Sequence, residues 1–378
     1  MECYLDNSAT TKPCKEAVEA CVSAMETEYG NPSSLHGMGY RAEQTVTRAK
    51  EQLAAALSCT AAEILFTSGA TESNNLALFG AAEAGIRRGR TILTTAVEHP
   101  SVLETAAELE RRGFTVKRLL PGEDGRYTAE QFADAVDSDT VLVSCMMVNN
   151  ETGLILPVEE IARAVKRKNA QTLVHVDGVQ GFLKIPVKLK TSSIDLMSVS
   201  GHKVRAPKGI GALYVKRGVR LIPRMFGGGQ QGGLRSGTEP VPVIAAFGAA
   251  VEAQKDAVSA SRERYAALKG RLLTGCEKIS GVSIHSGEEC APHIVSLSVY
   301  GIRSEVMLHF LEQYAIYVSS GSACAKGKQS YVLEALGIDR RESDETLRVS
   351  FGAETTEAMI DEFLLRLEEG SRSLARQR

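Results

Sequence analysis

No stretch of this 378-residue chain approaches about 18 consecutive apolar residues, so a membrane-spanning helix is not expected. It also lacks an excess of positive charge. Lys and Arg number 44 against 46 Asp and Glu, a net charge of −2, and there is no polybasic tail. That balance argues against a nucleic-acid partner. The start, Met1-Glu2-Cys3-Tyr4-Leu5-Asp6, has neither the basic nor the apolar region of a secretory signal, so a cytoplasmic protein is expected. None of the eight cysteines forms a CxxC pair, so no metal site is expected. In a reducing compartment they remain thiols. Walker spacing and GxGxxG are both missing, which removes the commonest nucleotide-binding loops. Internal repeats and low-complexity tracts are absent too.

What is there is a regular alternation. Residues 38–57 carry Ala42, Val46, Ala49, Leu53 and Ala56 at helical spacing. Short apolar runs at 63–67, 90–95, 115–119, 141–148, 172–176, 194–200 and 210–215 read as strands, with helices at 72–84, 101–112 and 158–168 between them. The pattern predicts an α/β fold, a mostly parallel seven-stranded sheet between helices. The run 210–215 is expected at the sheet's edge. After the glycine-rich stretch 227–233, one long helix is expected from 241 to 273. Short strands at 282–285, 292–299 and 346–351, with helices at 304–312 and 355–375, then suggest a smaller α+β unit. The expected domains are a large one, 13–253, and a small one made of 1–12 and 254–378.

Polar residues follow the strand ends, where ligands bind in parallel sheets. Lys203, in Ser200-Gly201-His202-Lys203, sits at such an end, and a desolvated lysine there can form a Schiff base with an aldehyde cofactor. Ser68-Gly69-Ala70-Thr71 joins a strand to a helix, a place for phosphate or simply an N-cap. Asp177 can keep a pyridine nitrogen protonated or cap a helix, and Gln180 lies one short turn on. His99 can stack on a ring and move protons, or cap the helix after Pro100. Arg348 can grip a carboxylate with two hydrogen bonds, or form a surface ion pair. Cys324, on the small-residue stretch 319–328 with Lys326 and Lys328 nearby, is either a reactive thiolate or an incidental surface cysteine.

Taken together, these stretches resemble the cysteine desulfurases of the NifS/IscS type, within the class V aminotransferase group of fold-type I PLP enzymes. The likeness runs through Tyr4-Leu5-Asp6-Asn7-Ser8-Ala9-Thr10-Thr11, Gly30-Asn31-Pro32-Ser33-Ser34-Leu35-His36, Phe66–Asn75 and Glu98-His99-Pro100-Ser101-Val102. It continues through Val148-Asn149-Asn150-Glu151, His175-Val176-Asp177, Ser200–Lys203, Arg235-Ser236-Gly237-Thr238 and Ser319–Cys324.

The resemblance implies roles. Lys203 would carry pyridoxal 5'-phosphate and shuttle protons. His99 would stack on its ring, Asp177 would pair with the ring nitrogen, Gln180 with the phenolic oxygen, and Asn150 would lie alongside. Ala70 would contact the cofactor, Thr71, Ser200 and His202 would bind its phosphate, and Thr238 would reach the phosphate from the other subunit of a homodimer. Arg348, Asn7 and Asn150 would bind L-cysteine. Cys324 would take its sulfur as a persulfide and pass it to a sulfur-acceptor protein, either an iron–sulfur scaffold or a tRNA or cofactor thiolation enzyme. A selenocysteine or cystine lyase, or a catalytically idle docking subunit, could use the same scaffold; Cys324 separates the first and the Lys203, His99 and Asp177 set argues against the second.

Three departures stand out. Ala206 replaces a usual Gly, which puts an expected positive φ on an alanine. Gln231-Gly232 replaces a usual Glu-Arg. Only five residues separate Cys324 from Ser330-Tyr331-Val332-Leu333, a short loop that reaches less far and implies a closely approaching or different acceptor.

Overall fold

The computed structural model describes residues 2–287, 289–320 and 330–374. In chain order its strands are β1 (Cys3–Tyr4), β2 (Ile64–Thr67), β3 (Thr91–Thr95), β4 (Thr115–Leu119), β5 (Thr140–Met146), β6 (Leu173–Asp177), β7 (Leu196–Ser200) and β8 (Gly211–Val215). They continue as β9 (Val282–Ile284), β10 (Ile294–Val299), β11 (Ile316–Tyr317), β12 (Ser319–Ser320) and β13 (Thr346–Ser350). The helices are α1 (Lys15–Thr27), α2 (Gly37–Leu57), α3 (Ala70–Gly85), α4 (Pro100–Arg111), α5 (Ala129–Ala135) and α6 (Val158–Lys168). Beyond them lie α7 (Val241–Glu252), α8 (Val258–Cys276), α9 (Ser304–Glu312), α10 (Tyr331–Ala335), α11 (Arg340–Asp344) and α12 (Glu357–Ser373).

Seven strands form one sheet in the order β2-β8-β7-β6-β5-β3-β4. All are parallel except β8, which pairs antiparallel with β2 and β7. The fold class is therefore the expected one. β3, β5 and β7 are buried along their whole length, because helices cover both faces and leave no polar side. β4 closes one end and carries Lys117 and Arg118, charges that suit an edge strand. α3 is apolar nearly all round and buried from Leu76 to Ala82. Its first residue follows directly from the end of β2 through Ser68-Gly69.

Three expectations need correction. Residues 211–215 are not at the sheet's edge. β8 returns from β7 through ten residues, 201–210, that open with the turn Gly201–Lys203; so short a connection holds no crossover helix and yields an antiparallel neighbour, here wedged beside β2. The long helix over 241–273 is two helices. The chain turns at Ala253–Ala257, where the Gln254 side chain donates to the carbonyls of Val204 (2.9 Å) and Ala250 (2.7 Å). The positive φ falls on Arg205 (61°), while Ala206 is buried in the core without one.

A second sheet, β12-β13-β10-β9, is antiparallel, and β1 pairs parallel with β11. The N-terminal segment is woven into it: the Leu5 amide donates to Tyr317 O (2.9 Å) and the Ser350 amide to Leu5 O (2.7 Å). Cys3 and Leu5 accordingly share a buried cluster with Tyr265, Leu297, Leu347, Val349 and Phe363. No described helix is long and apolar enough to cross a membrane.

Candidate active site

The parallel strands end on one side of the large sheet, and a cavity of about 600 Å³ opens there. Ten of the residues singled out in the sequence line it: Ala70, Thr71, His99, Asn150, Asp177, Gln180, Ser200, His202, Lys203 and Arg348. They come from the ends of β2, β3, β5, β6, β7 and, across the seam, β13. Convergence follows from topology, since parallel strands put their carboxyl ends together.

Lys203 stands on the turn after β7, and its Nζ donates to the carbonyls of Ser8 and Ala9, the latter at 2.7 Å. Gln180 donates from Nε2 to Ser8 O at 3.0 Å. Asp177 is buried at the end of β6. Its Oδ1 accepts from the Val179 amide (3.1 Å) and its Oδ2 from Asn74 Nδ2 (2.8 Å). The same Asn74 amide reaches Ser101 Oγ at 2.9 Å. The Ser101 amide donates to His99 Nδ1 (3.1 Å), which places the ring proton on Nε2. Burial lowers the pKa of His99, the nearby Lys203 lowers it further, and Asp177 opposes both. His99 is therefore a neutral imidazole at pH 7.

One end of the cavity is electropositive. The α3 N-terminus lies there, and first-turn amides have no acceptor within their own helix. Gly69 starts the turn at φ 156°, ψ 176°, a conformation open essentially to glycine alone. Gly211 of β8 backs onto it, and a Cβ there would stand 2.7 Å from Gly69 Cα. Lys203, Lys208 and His202 complete this end. Burial, then Lys203, Lys208 and Lys184, push the His202 pKa down to about 4, so His202 is uncharged and can donate or accept.

At the opposite end, Arg348 of β13 donates from Nη1 to Asn150 O (3.0 Å) and from Nη2 to Asp6 (2.8 Å). Its Nε is buried without a hydrogen-bond partner. So are Ser8 Oγ, Asn74 Oδ1 and Gln180 Oε1, all on residues of the same wall. Native chains seldom leave such atoms unmet, and their gathering at one wall marks a site shaped for a polar ligand.

Two expected residues stand elsewhere. Asn7 is off the wall, its Nδ2 donating to the carbonyls of Tyr4 and Ser350 at 3.1 Å each. Thr238 is exposed and does not touch the cavity of its own chain. Cys324, with its loop length, lies outside the described residues. The sequence reading missed Ser8, Asn74, Ser101 and Lys208 as wall residues. Asn74 and Ser101 lie within motifs already noticed, one helical turn past Ala70 and two residues past His99, a spacing that points toward the same strand ends.

A family model described as aminotransferase class-V matches residues 3–363. The chain belongs to this family. Its class-V relatives include a cysteine desulfurase of Trichormus azollae, 41% identical, with 95% of this chain and 90% of the relative aligned. A cysteine desulfurase IscS of Clostridium botulinum strain Kyoto is 38% identical over 95% of this chain and 91% of its own length. A solved structure described as a NifS-like protein superposes with a TM-score of 0.92 at 40% identity, covering 98% of this chain and 99% of that one. The class-V likeness thus spans both sheets and the seam between them.

Proposed function

We propose that this chain is a PLP-dependent L-cysteine desulfurase. The observation that carries the reading is the wall itself: Lys203, Asp177, His99 and Arg348 gathered around one cavity whose other end is a helix N-terminus. The class-V relatives, named cysteine desulfurases at about two-fifths identity along the chain, support the same conclusion.

The residues fit the cofactor. The α3 amides, Thr71, Ser200 and His202 suit its phosphate, Asp177 its ring nitrogen, Gln180 its phenolic oxygen, His99 its ring face, and Lys203 its aldehyde carbon. When bound, PLP supplies an electron sink for charge developing at the α-carbon of an amino acid. This chain's own groups do the rest. Arg348 has an unused Nε–H and an anchored guanidinium plane, so it can orient the α-carboxylate of L-cysteine. Asn150 lies beside it. The Lys203 amine would hold and move protons, and neutral His99 would offer Nε2–H toward the cavity. Cys324 takes the sulfur: its thiolate bonds to the cysteine sulfur, the carbon–sulfur bond breaks, and the carbon gains a proton. L-cysteine plus enzyme thiol becomes L-alanine plus enzyme persulfide, with atoms and electrons balanced. The persulfide passes to an acceptor protein, an iron–sulfur scaffold or a thiolation enzyme.

A two-domain division at 13–253 and 1–12 with 254–378 accompanies this reading. The separate buried cluster holding Cys3, Leu5 and residues between 265 and 367 supports it, with Ala291, Ile294 and Val332 packing across the seam. A homodimer is proposed as well. Thr238 is exposed, free to serve a neighbour, and Leu35 and Phe226 expose 105% and 81% of their surface, apolar area suited to a second copy. Cys14, Cys21, Cys59, Cys145, Cys276 and Cys290 are free thiols, which fits a cytoplasmic, reducing setting.

The test is alanine formation from L-cysteine by purified wild type and Lys203→Ala, followed together with visible absorbance of the bound cofactor. The reading requires alanine from wild type and a loss of at least roughly a thousandfold in the variant, as for removal of a catalytic group. Equal rates in both proteins would overturn it.

A further inference from the structure

Behind the active-site floor lies a second cavity, of about 160 Å³. Lys203 borders both cavities. The second is formed at the seam, where Leu183–Lys184, Lys203–Arg205 and Ala253–Ala257 meet Ser261, Tyr265 and Phe351–Ala353. Its polar lining is one-sided. Lys184 and Arg205 bring positive charge, Thr11, Ser261 and Tyr265 bring hydroxyls, Gln254 brings an amide, and no lining residue is a carboxylate.

Lys184 is the unusual member. Leu183 before it adopts a left-handed φ of 58°. The Lys184 side chain is buried, and its Nζ has no hydrogen-bond partner. A buried ammonium without an acceptor is costly. Burial, with like-charge repulsion from Lys203, lowers its pKa to about 7. Neighbouring His293 offers no compensation. It is buried, both ring nitrogens lack partners, and burial and Lys184 hold it neutral. The mechanism uses neither residue.

We propose that this second cavity binds a small inorganic oxyanion of the sulfate class, held by Lys184 and Arg205. The charge set matches one anion, and a guanidinium fork with hydroxyl donors favours several oxygens over a bare halide. An anion there supplies the acceptor that Lys184 lacks. It also touches segments from both sides of the seam. Among their lining residues the two cavities share only Lys203.

The experiment is a sulfate titration of the purified holoenzyme by thermal unfolding, on wild type, Lys184→Met and Arg205→Gln. It is paired with diffraction from crystals soaked in selenate. Wild type should show a saturable rise in Tm, about 2 °C at ten times Kd, above the unsaturable rise that sulfate gives by exclusion from the surface. Both variants should lose most of the saturable part, and an anomalous selenium peak should lie beside Lys184 Nζ. Equal saturable rises in all three proteins, or water alone at Lys184 in the soaked crystal, would overturn the proposal. If Lys184→Met does not fold, Arg205→Gln and the selenium peak decide. Sulfate taken up at the α3 N-terminus cancels between wild type and variants, so the outcome is independent of the desulfurase reading.

Discussion

Glu98 is completely buried one residue before His99. Its Oε1 accepts from Thr95 Oγ1 (2.6 Å) and the Met146 amide (2.9 Å), and its Oε2 has no partner. Burial, reinforced by the negative charge of Asp177, raises its pKa to about 8. The native carboxyl therefore keeps its proton from about pH 4 to 8, while the unfolded chain has released it near ~4.3. The native state binds more protons in that window, so this residue makes stability fall as pH rises through it. Glu98→Gln cannot ionise. Its Tm, followed from pH 5 to 8.5, should fall less steeply than that of wild type; parallel curves would contradict the buried-acid reading. Asn74→Ala removes a donor from the Asp177 carboxylate, a loss of about 1–3 kcal/mol. Cofactor affinity, read by spectral titration, should weaken roughly ten- to a hundredfold. At this scale much was legible. Lys203, Asp177 and His99 each lie within four residues of the end of an apolar run, so strand-end logic finds them. Asn74 and Lys208 were not singled out, because their roles depend on which neighbour they face across the cavity. Asn7 reads as a wall residue, yet its amide is spent on two backbone carbonyls.

Elements carry a different kind of information. The alternation of runs and helices gives the strands, but the position of β8 is a pairing fact, and nothing in residues 210–215 names β2 and β7 as its neighbours. The break between α7 and α8 was hidden for a similar reason. Ala253–Ala257 contains no Gly or Pro, and the turn is held by Gln254 reaching Val204 on another segment. The expected positive φ at Ala206 missed by one residue because left-handed backbone is permitted, at some cost, to arginine. β8 and α3 together shape the phosphate end of the cavity. Gly211→Ala would set a Cβ against Gly69 Cα at 2.7 Å, backbone against backbone, so the start of α3 must move. Overpacking of this kind costs about 1–3 kcal/mol. The variant should melt several degrees lower and lose affinity for the cofactor, as measured by thermal unfolding and phosphate-competition binding. Unchanged affinity would show that the α3 N-terminus is not the phosphate site.

Across the whole molecule, Arg348 is the tie between the two sheets. It joins β13 to Asp6 of the N-terminal segment and to Asn150 after β5. Only the fold brings residues 6, 150 and 348 together, and no local pattern announces the pairing. Removing one partner leaves a buried charge uncompensated. Asp6→Ala should therefore cost about 3 kcal/mol in urea unfolding and raise KM for L-cysteine more than it lowers kcat, because the guanidinium loses its anchor while the reacting atoms do not. A change in kcat alone would place Arg348 elsewhere in the reaction. The central claim is that sulfur leaves L-cysteine through an enzyme thiol. A single turnover of the holoenzyme with L-cysteine, following alanine and protein persulfide on wild type and Cys324→Ala, tests it directly. The account predicts both products from wild type and neither from the variant. Alanine or pyruvate formed equally by the two proteins would contradict it.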